Sequence, residues 1–583
     1  MRIRRLHPAA ALLLAATLSG CTPEPEPLPP APPGRATFDA LFGSRQLTGY
    51  ALSPGGDQLF LSRSGPDGHQ LVARSLDDDT ERELLPRPAG GAWRLLAVSP
   101  RGRDLLLAGG VPGDGCHAPL ALRREDGSFL RLTPAGGCAT FLGWLREGER
   151  LLLASDEGHG GSLGIVELTP GSGSRHLLFA NDEGWRPGPL APDGRQLVLS
   201  HPGPEPPASL ALLGLATGSL EPLPLPAQAD RLVPQGFAAD GSLWLLTETA
   251  GRREIVRLDP RTGVVAGLTA PCAVPERLTP SPAGSHLGVD CADGPYRLLA
   301  RAAGDEQRWE PVTLPLPRDI ELQEIRFSED DRVAIATAGS GSWPRDLFRW
   351  EPTTGELRQL TYHLGPRVDS RDLVNPVAFA AEAGWRGELF PGRRGAGNQR
   401  GVVWIEEAWP GDDRAAPAFH PLVQWLAGHG IPVLRLRAAG SPFGDSPVLP
   451  DLDRLATEIR KEAGGLPPAA LVGIGRGAAA LALAAPPAWR VALALAPAPL
   501  REASDTLSAV ATAPLFPSPA SHGRQLLVGF APDDWSPAGE ARLKPYGAAG
   551  VTPGPSDPFG PASETERDRW RAAARALREG ARP

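Results

Sequence analysis

A glycine-rich segment, LVGIGRGAAA at residues 471–480, has the outline of a catalytic turn. An apolar strand pattern runs into glycines at positions 473, 475 and 477, and small residues of helical character follow. The pattern G-x-S-x-G places a serine nucleophile on a sharp turn between a strand and a helix. Gly475 stands at the serine position, between Gly473 and Gly477, and it has no side chain. The nucleophile is therefore missing at the one position where this pattern would put it.

An acid and a base should follow such a nucleophile, in the chain order Ser, Asp, His. Asp533 and Asp534 come after the apolar segment RQLLVGF (524–530) and match the acid position to within one residue. The base is expected between residue 550 and the last helix, but GVTPGPSDPFGPASETERDRW (550–570) contains no histidine. The sequence thus predicts a remnant of an acid and no base.

Other residues are poor substitutes for the missing groups. His429 and His522 each precede a strand and so lie at its amino end, whereas sites in parallel sheets form at the carboxyl ends. His420 opens a helix, which favours a capping or surface role. Ser441 follows a strand, near the expected mouth of a site, but it has no visible partner base.

The elements around these residues alternate between continuous apolar strands and helical patterns. This alternation is typical of a mostly parallel sheet covered by helices. The predicted strands are 401–410, 431–437, 469–475, 490–497 and 524–530, and the predicted helices are 416–430, 449–463, about 536–548 and 562–580. We expect one α/β domain over residues 369–583.

A different pattern repeats before residue 370. Segments such as ALSPGGDQLFL (from Ala51) and PLAPDGRQLVL (from Pro189) each read as strand, turn and strand. Successive spacings are 46, 46, 46, 47, 43 and 47 residues, counted between the equivalent positions Pro54, Pro100, Arg146, Pro192, Ala239, Pro282 and Glu329. A four-stranded unit of this length is typical of a propeller blade. The spacing predicts a seven-bladed β-propeller over 37–368, with a β-sandwich array as the alternative.

A propeller followed by an α/β domain with an elbow-like turn resembles the prolyl oligopeptidase family of serine peptidases. TFDALFGSRQLTGYALSPGGDQLFL (37–61) looks like the family's entry into its first blade. LVQWLAGHGIPVLRLRAAGSPFG (422–444) is similar to the helix, strand and loop that precede the catalytic helix. The family's His-Gly-Gly-Pro turn, which lies in the oxyanion neighbourhood, is replaced by EAWP at 407–410.

The resemblance implies an α/β-hydrolase-like domain and a cleft between the two domains that could hold a peptide-like or protein ligand. The loss of the serine and of the base, together with the altered turn, predicts a catalytically inactive protein with a binding or scaffolding role. The alternative is an active serine peptidase or esterase that uses an unrecognised nucleophile. Fold alone does not decide between them, because one fold hosts many functions.

The first residues have the features of an export signal. Three arginines precede the apolar run AAALLLAATLSG, which ends at Cys21 and is too short to span a membrane. LSGC resembles the lipobox of bacterial lipoproteins, so we expect a signal peptide over 1–20 and a lipid on Cys21. The proline-rich residues 21–36 then form an extended tether. The location expected is the cell envelope, with the outer membrane favoured. The alternative is an ordinary signal peptide with an incidental cysteine.

Four further cysteines, an even number in an exported chain, suggest disulfides. Three connectivities are open, and we favour pairing between sequence neighbours: Cys116 with Cys138, and Cys272 with Cys291. Buried free thiols are the alternative. The cysteine and histidine spacings suggest no metal, and no cofactor is expected. A net charge of −8, without a basic tract beyond the first five residues, argues against nucleic acid as a partner.

Overall fold

The structure is a computed structural model of the chain. It describes residues 36–474 and 571–581 with internal gaps, and the backbone of three further strands at 491–495, 525–529 and 551–553. The gaps are 66–67, 86–92, 110–119, 134–137, 146–147, 157–162, 202–208, 226–229, 293, 303–307, 382–384, 394–398, 407–418, 439–449, 572 and 580. The predicted signal peptide and Cys21 lie outside the described residues.

Seven four-stranded antiparallel sheets occupy residues 46–359, each formed by strands that are neighbours in the chain. Blade 1 comprises β1 (Gln46–Leu52), β2 (Gln58–Gly65), β3 (Gly68–Ser75) and β4 (Glu81–Glu83). Blade 2 comprises β5 (Trp93–Val98), β6 (Leu105–Gly109), β7 (Leu120–Arg123) and β8 (Phe129–Arg131). Blade 3 comprises β9 (Ala139–Trp144), β10 (Leu151–Ser155), β11 (Gly164–Thr169) and β12 (Ser174–Phe179).

The remaining blades have the same order. Blade 4 comprises β13 (Arg186–Leu190), β14 (Gln196–His201), β15 (Ser209–Gly214) and β16 (Leu220–Pro222). Blade 5 comprises β17 (Arg231–Phe237), β18 (Leu243–Thr249), β19 (Arg252–Leu258) and β20 (Val265–Leu268). Blade 6 comprises β21 (Pro275–Pro280), β22 (His286–Cys291), β23 (Arg297–Arg301) and β24 (Trp309–Val312). Blade 7 comprises β25 (Glu321–Phe327), β26 (Ala334–Ser340), β27 (Trp343–Trp350) and β28 (Leu357–Gln359). The predicted seven-bladed propeller is confirmed.

One tight turn per blade explains the repeat in the sequence. Between the first two strands, one residue has a positive φ, and its N–H donates to the carbonyl three residues earlier. Each such residue lies two positions after the one aligned in the sequence, and the full set is Gly56, Gly102, Gly148, Gly194, Gly241, Gly284 and Asp331. Glycine adopts this left-handed conformation without the steric cost of a Cβ atom, so the turn selects it. Blade 7 alone has a side chain at this position.

The propeller closes between blades 1 and 7 without a shared strand, because each of these blades is built from one continuous segment. Arg326 of β25 donates to the carbonyl of Tyr50 at 2.8 Å, and its guanidinium lies 4.5 Å from the centre of the Tyr50 ring. Arg349 donates to the carbonyl of Leu76 at 3.0 Å. Leucines of both blades form one buried cluster beneath these contacts. Side chains, rather than a strand ladder, therefore join the ends of the propeller.

The second unit is an eight-stranded sheet with the order β29-β30-β32-β31-β33-β34-β35-β36. The pairs β29–β30 and β30–β32 are antiparallel, and the pairs from β32 to β36 are parallel. The strands are β29 (Val377–Phe379), β30 (Trp385–Phe390), β31 (Val402–Glu406), β32 (Val433–Ala438), β33 (Ala470–Ile474), β34 (Val491–Leu495), β35 (Gln525–Gly529) and β36 (Val551–Pro553). The five strands predicted from apolar runs are present, in a mostly parallel sheet.

Helices α1 (Phe38–Leu41), α2 (Pro421–Gly428) and α3 (Leu452–Glu462) are described, together with helical residues between 571 and 579. Every residue of α2 is buried, and its leucines pack in one core with β31, the last helix and α1. The segment 36–42 therefore contacts the second unit, although it precedes the first blade in the chain. No helix among the described residues is long and apolar enough to cross a membrane.

The two connections between propeller and sheet are tied to each other. The N–H of Arg45 donates to the carbonyl of His363 at 2.8 Å, and the N–H of Gly365 donates to the hydroxyl of Ser44 at 3.1 Å. A Cβ on Gly365 would lie 3.1 Å from the carbonyl oxygen of Ala40, so glycine permits this close approach. The chain thus enters and leaves the propeller through one paired segment.

Candidate functional site

The predicted elbow follows the central strand of the parallel sheet. Gly473 pairs with Ile405 of β31, and Ile474, the last residue of β33, pairs with Glu406. The two strands therefore end side by side. In the sequence, β31 is followed by the altered turn and β33 is followed by Gly475. Gly475, Gly477, Asp533 and Asp534 lie outside the described residues, as do Ser441 and His522. The described part of this region is the strand end that precedes the predicted elbow.

A buried ion cluster lies at this strand end. The carboxylate of Glu406 accepts hydrogen bonds from Trp404 Nε1 at 2.5 Å and from Arg437 Nε at 3.2 Å. Arg435 Nη2 donates to both oxygens, at 2.9 and 2.8 Å. Arg435 also lies 3.8 Å from the carboxylate of Glu388 on β30. The alternating side chains of adjacent strands bring these groups onto one face of the sheet.

The two carboxyl groups of this cluster differ in their ionisation. Burial opposes the charged form of Glu406, but the neighbouring charges of Arg435 and Arg437 outweigh it and hold the pKa at about 2. Burial raises the pKa of Glu388, with Arg435 opposing the shift. A general base works best with a pKa near the working pH. Glu406 is therefore a poor base at neutral pH and a strong partner for the two arginines.

His420, at the start of α2, caps that helix as the sequence suggested, but it is buried rather than exposed. Its Nδ1 accepts the N–H of Leu422 at 3.2 Å, and its ring lies 4.6 Å from that of Trp404. In the neutral ring the proton then sits on Nε2, and Nδ1 is the one nitrogen that can accept a hydrogen bond. The N–H of Leu422 already occupies it. His429 ends the same helix, and its Nδ1 donates to the carbonyl of Trp425 at 2.8 Å. The described hydrogen bonds of both histidines are with the backbone of α2 and are structural.

Polar side chains also join the second unit to blades 6 and 7. Gln424 of α2 is buried and donates to the carbonyls of Gly341 and Val374 at 2.8 and 2.9 Å. Arg386 of β30 donates to the carbonyl of Ala292 at 2.8 Å and lies 3.7 Å from the carboxylate of Asp290. These contacts define the boundary between the propeller and the sheet on this side.

Buried carboxyl groups accompany that boundary. Burial, followed by repulsion from Asp290, raises the pKa of Glu276 to about 7, while Arg386 and Arg253 oppose the rise. Burial also raises the pKa of Asp290 against the attraction of Arg277 and Arg386. The interface therefore contains a group that changes charge near neutral pH.

One contact of serine, histidine and aspartate occurs among the described residues, and its geometry is not that of a triad. The hydroxyl of Ser285 donates to Asp331 at 2.5 Å, and the same oxygen lies 2.6 Å from Nδ1 of His286. Because the serine proton points to the carboxylate, the ring must donate to the serine oxygen. The histidine cannot accept the hydroxyl proton in this arrangement, so the set is structural.

Cys272 and Cys291 form a disulfide, as the neighbour pairing predicted. Cys138 is also disulfide-bonded, and its partner lies outside the described residues, as does Cys116. The pairing of Cys116 with Cys138 therefore stays a prediction. The part of the chain that the structure describes contains no group of three or more His, Cys, Asp or Glu residues arranged to hold a metal.

The ion cluster around Glu406 was missed in the sequence. A signal was present: Arg435 and Arg437 alternate with leucines in the otherwise apolar segment VLRLRA, and Glu406 ends the apolar strand VVWIE. Charged residues at every second position of a buried strand require partners of opposite charge on the neighbouring strands. That requirement would have pointed to Glu406.

Comparison of the structure with solved structures identifies peptidases of the same architecture. One is a prolyl endopeptidase studied for inter-domain dynamics, with a TM-score of 0.68, 16% identity, and coverage of 93% of this chain and 89% of that one. A puromycin hydrolase has a TM-score of 0.66 and 18% identity, and the match covers 94% of this chain and 97% of that one. A puromycin-hydrolysing peptidase from Mycobacterium tuberculosis has a TM-score of 0.65 and 14% identity, and the match covers 94% of this chain and 96% of that one.

These values establish a shared fold with the prolyl oligopeptidase-type enzymes over nearly the whole chain. No family model matches the sequence, and no curated protein matches it.

Proposed function

We propose that this protein is an envelope lipoprotein of the propeller and α/β-hydrolase architecture that binds a peptide-like ligand without hydrolysing it. The observation that carries the proposal is Gly475 at the nucleophile position, together with a segment 550–570 that has no histidine. Nucleophile and base work as a unit, so losing both leaves at most weak catalysis by the environment. Assignment of 369–583 as an α/β-hydrolase-like domain is supported by the strand order and by the fold of the similar peptidases.

The described titratable residues around the end of β31 offer no replacement base. Glu406 is held ionised by two arginines with a pKa of about 2. The accepting nitrogen of His420 is occupied by the N–H of Leu422. Rebuilding catalysis on these groups would require breaking the cap of α2 or a buried ion pair, and either change is costly. Decay of the site is therefore the simpler account.

The ligand class follows from the similar structures. They are named as prolyl endopeptidases and puromycin hydrolases, so the shared architecture accommodates peptides and an aminoacyl nucleoside. We propose that this chain retains a binding cleft of that kind between its two units. Asp533 and Asp534 would then contact the ligand or support the fold.

The experiment combines a covalent label with a binding measurement. Purified protein is treated with a fluorophosphonate probe beside an active serine hydrolase, and it is titrated with puromycin and with a proline-containing peptide. We expect no label, measurable binding of at least one probe, and intact probe by mass spectrometry. Labelling that disappears in a single Ser→Ala variant, such as Ser441→Ala, would instead establish the active peptidase or esterase.

The anchor is tested separately. If Cys21 is lipidated, the protein partitions into detergent and sediments with membranes, and Cys21→Ser releases it in soluble form. Separation of inner and outer membranes then tests the favoured location. Wild-type protein recovered entirely in the soluble fraction would refute the anchor while leaving the proposed ligand binding open to its own test.

A further inference from the structure

The disulfide between Cys272 and Cys291 lies at the end of blade 6 that meets the second unit. Cys291 is the last residue of β22, so Asp290 precedes it and Ala292 follows it. Both neighbours contact Arg386 of β30. The carbonyl of Ala292 accepts the Nε–H of Arg386 at 2.8 Å, and the carboxylate of Asp290 lies 3.7 Å from Nη2. The bridge therefore fixes the residue that lies between two contacts with the second unit.

The pairing of β21 with β22 is irregular at this end. Pro275, the first residue of β21, is the register partner of Cys291. Because proline has no N–H, this pair cannot exchange the two backbone hydrogen bonds of a regular antiparallel pair. The register then shifts between Pro275 and Arg277. A backbone bond lies just beyond the strand end, from the N–H of Ala292 to the carbonyl of Val274 at 2.9 Å. The covalent bond thus reinforces a strand end whose ladder is interrupted.

The ion pairs around this strand end are long. Arg277 and Arg386 lie 3.8 and 3.7 Å from the carboxylate of Asp290, which is beyond the usual hydrogen-bond distance. In the second unit, by contrast, Arg435 reaches the carboxylate of Glu406 at 2.8 Å. A buried ion pair offsets its loss of water only when its geometry is close. The disulfide therefore contributes more to the position of this segment than the charges do.

The two sulfur atoms of the bridge differ in exposure. Cys291 is fully buried, whereas Cys272 is partly exposed in an irregular segment before β21. A thiolate of a dithiol reductant therefore attacks the sulfur of Cys272 and forms a mixed disulfide, and the sulfur of Cys291 leaves as a thiolate that takes up a proton. The second thiol of the reductant then displaces Cys272. One S–S bond of the protein breaks, two S–H groups form, and the reductant is oxidised to its own disulfide.

We propose that the bridge between Cys272 and Cys291 is a redox-sensitive strut that holds blade 6 against the second unit. In the oxidised protein it presents Asp290 and Ala292 to Arg386. In the reduced protein the end of β22 separates from β21, and Arg386 loses both contacts. The boundary between propeller and sheet then loosens on the side of blade 6. The strut acts independently of the proposed ligand and of the lipid anchor.

The first test compares hydrogen exchange in wild type and in the Cys272→Ser, Cys291→Ser double variant. This variant removes the bridge without a reductant, so the disulfide that contains Cys138 is not reduced. During the first minutes of labelling, the amides of 286–292 should exchange about tenfold faster in the variant, because β22 opens at its end. The amides of 209–214 in blade 4 should stay protected in both proteins. Equal exchange of 286–292 in both proteins, or loss of protection in both segments, would contradict a local strut.

The second test measures the coupling between the bridge and Arg386 by urea unfolding. Arg386→Gln should raise the unfolding equilibrium constant about tenfold in wild type and less than about twofold in the double serine variant. Arg297→Gln is the matched control, because Arg297 is exposed on the same blade, and it should change the constant little in either background. An equal effect of Arg386→Gln with and without the bridge would overturn the proposal, even if the bridge stabilises blade 6.

The redox step is tested on the wild type with dithiothreitol. We expect reduction of this bridge to reproduce the faster exchange of 286–292 seen in the double serine variant. Peptide mapping after alkylation shows whether Cys272 and Cys291 have become thiols. A bridge that stays intact in dithiothreitol until the propeller unfolds would refute its redox sensitivity.

Discussion

The carboxylate of Asp331 in blade 7 accepts a hydrogen bond from the hydroxyl of Ser281 in blade 6 at 2.5 Å. Asp331 has a φ of 56°, at the turn position that glycine occupies in the other six blades. The same carboxylate accepts the N–H groups of Ala283 and Ser285 at 3.2 and 3.1 Å. These bonds between blades stabilise a conformation that a residue with a Cβ rarely adopts.

Substitution of Asp331 should separate the two contributions. Asp331→Gly loses the bonds but relieves the backbone, and Asp331→Ala loses the bonds and keeps the strain. We expect Asp331→Gly to lower the free energy of unfolding by about 1–3 kcal/mol and Asp331→Ala by about 1 kcal/mol more. Gly241→Ala is the control for strain alone, because a Cβ there meets no atom within 4 Å. Equal stability of wild type and Asp331→Gly in urea unfolding would contradict the role of the carboxylate.

Glu406→Gln should destabilise the second unit because it removes the carboxylate that Arg435 and Arg437 share. Breaking a buried ion pair from one side costs about 3–5 kcal/mol. The folded pKa of Glu406, about 2, lies below its ordinary value of 4.5. The stabilisation is therefore present above about pH 4.5 and is lost as the pH falls through 2. Urea unfolding at pH 7 and pH 3 should show a smaller effect at the lower pH, and Glu458→Gln, on the surface of α3, should show almost none.

Glu276 should make stability fall as the pH rises. Its folded pKa of about 7 exceeds the ordinary 4.5, so the folded state binds the proton more tightly than the unfolded chain. The destabilisation begins above about pH 4.5 and is complete above pH 7. Glu276→Gln should therefore be more stable than wild type by roughly 3 kcal/mol at pH 8.5, with little difference at pH 4. Exposed Glu221→Gln is the control, and parallel stability curves for wild type and Glu276→Gln would refute the shift.

Gly475→Ser should restore the nucleophile without restoring activity. If residue 475 keeps the sharp turn of an elbow, its φ is positive and a Cβ is strained there by roughly 1 kcal/mol or more. The serine would also lack a base to take its proton. We expect a lower melting temperature and no turnover of ester or peptide chromogenic substrates, and Gly475→Ala should melt at a similar temperature. Hydrolysis above background would reveal a base that the sequence does not show.

Reduction of the disulfide between Cys272 and Cys291 should destabilise blade 6. The bridge spans a sequence separation of 19 residues, for which the loop-entropy model gives roughly 3 kcal/mol. The Cys272→Ser and Cys291→Ser double variant should lose this amount in urea unfolding under oxidising conditions. If the double variant unfolds at the same denaturant concentration as wild type, the bridge adds nothing to stability.

Local patterns in the sequence were sufficient for the propeller and for five of the eight strands of the second unit, whereas β29, β30 and β36 were not predicted. The turn glycine recurs in six of the seven blades because the turn between the first two strands needs a residue in the left-handed conformation, as at Gly56 and Gly102. The buried strands β31 and β33 are apolar, apart from Glu406 at the end of β31, because helices and neighbouring strands cover them. The absence of a serine at 475 is likewise a property of the chain alone.

The tertiary structure decided which polar and charged groups meet across blades and sheets. Asp331 and Ser281 are 50 residues apart, and Arg386 and Ala292 are 94 apart. Such pairs depend on how blades and sheets pack, and no local preference of the chain encodes that packing. The same holds for the pKa of Glu276, which results from burial beside Asp290 once the propeller has formed. Turns and strands follow from neighbouring residues, whereas ion pairs and shifted pKa values follow from three-dimensional proximity and loss of water.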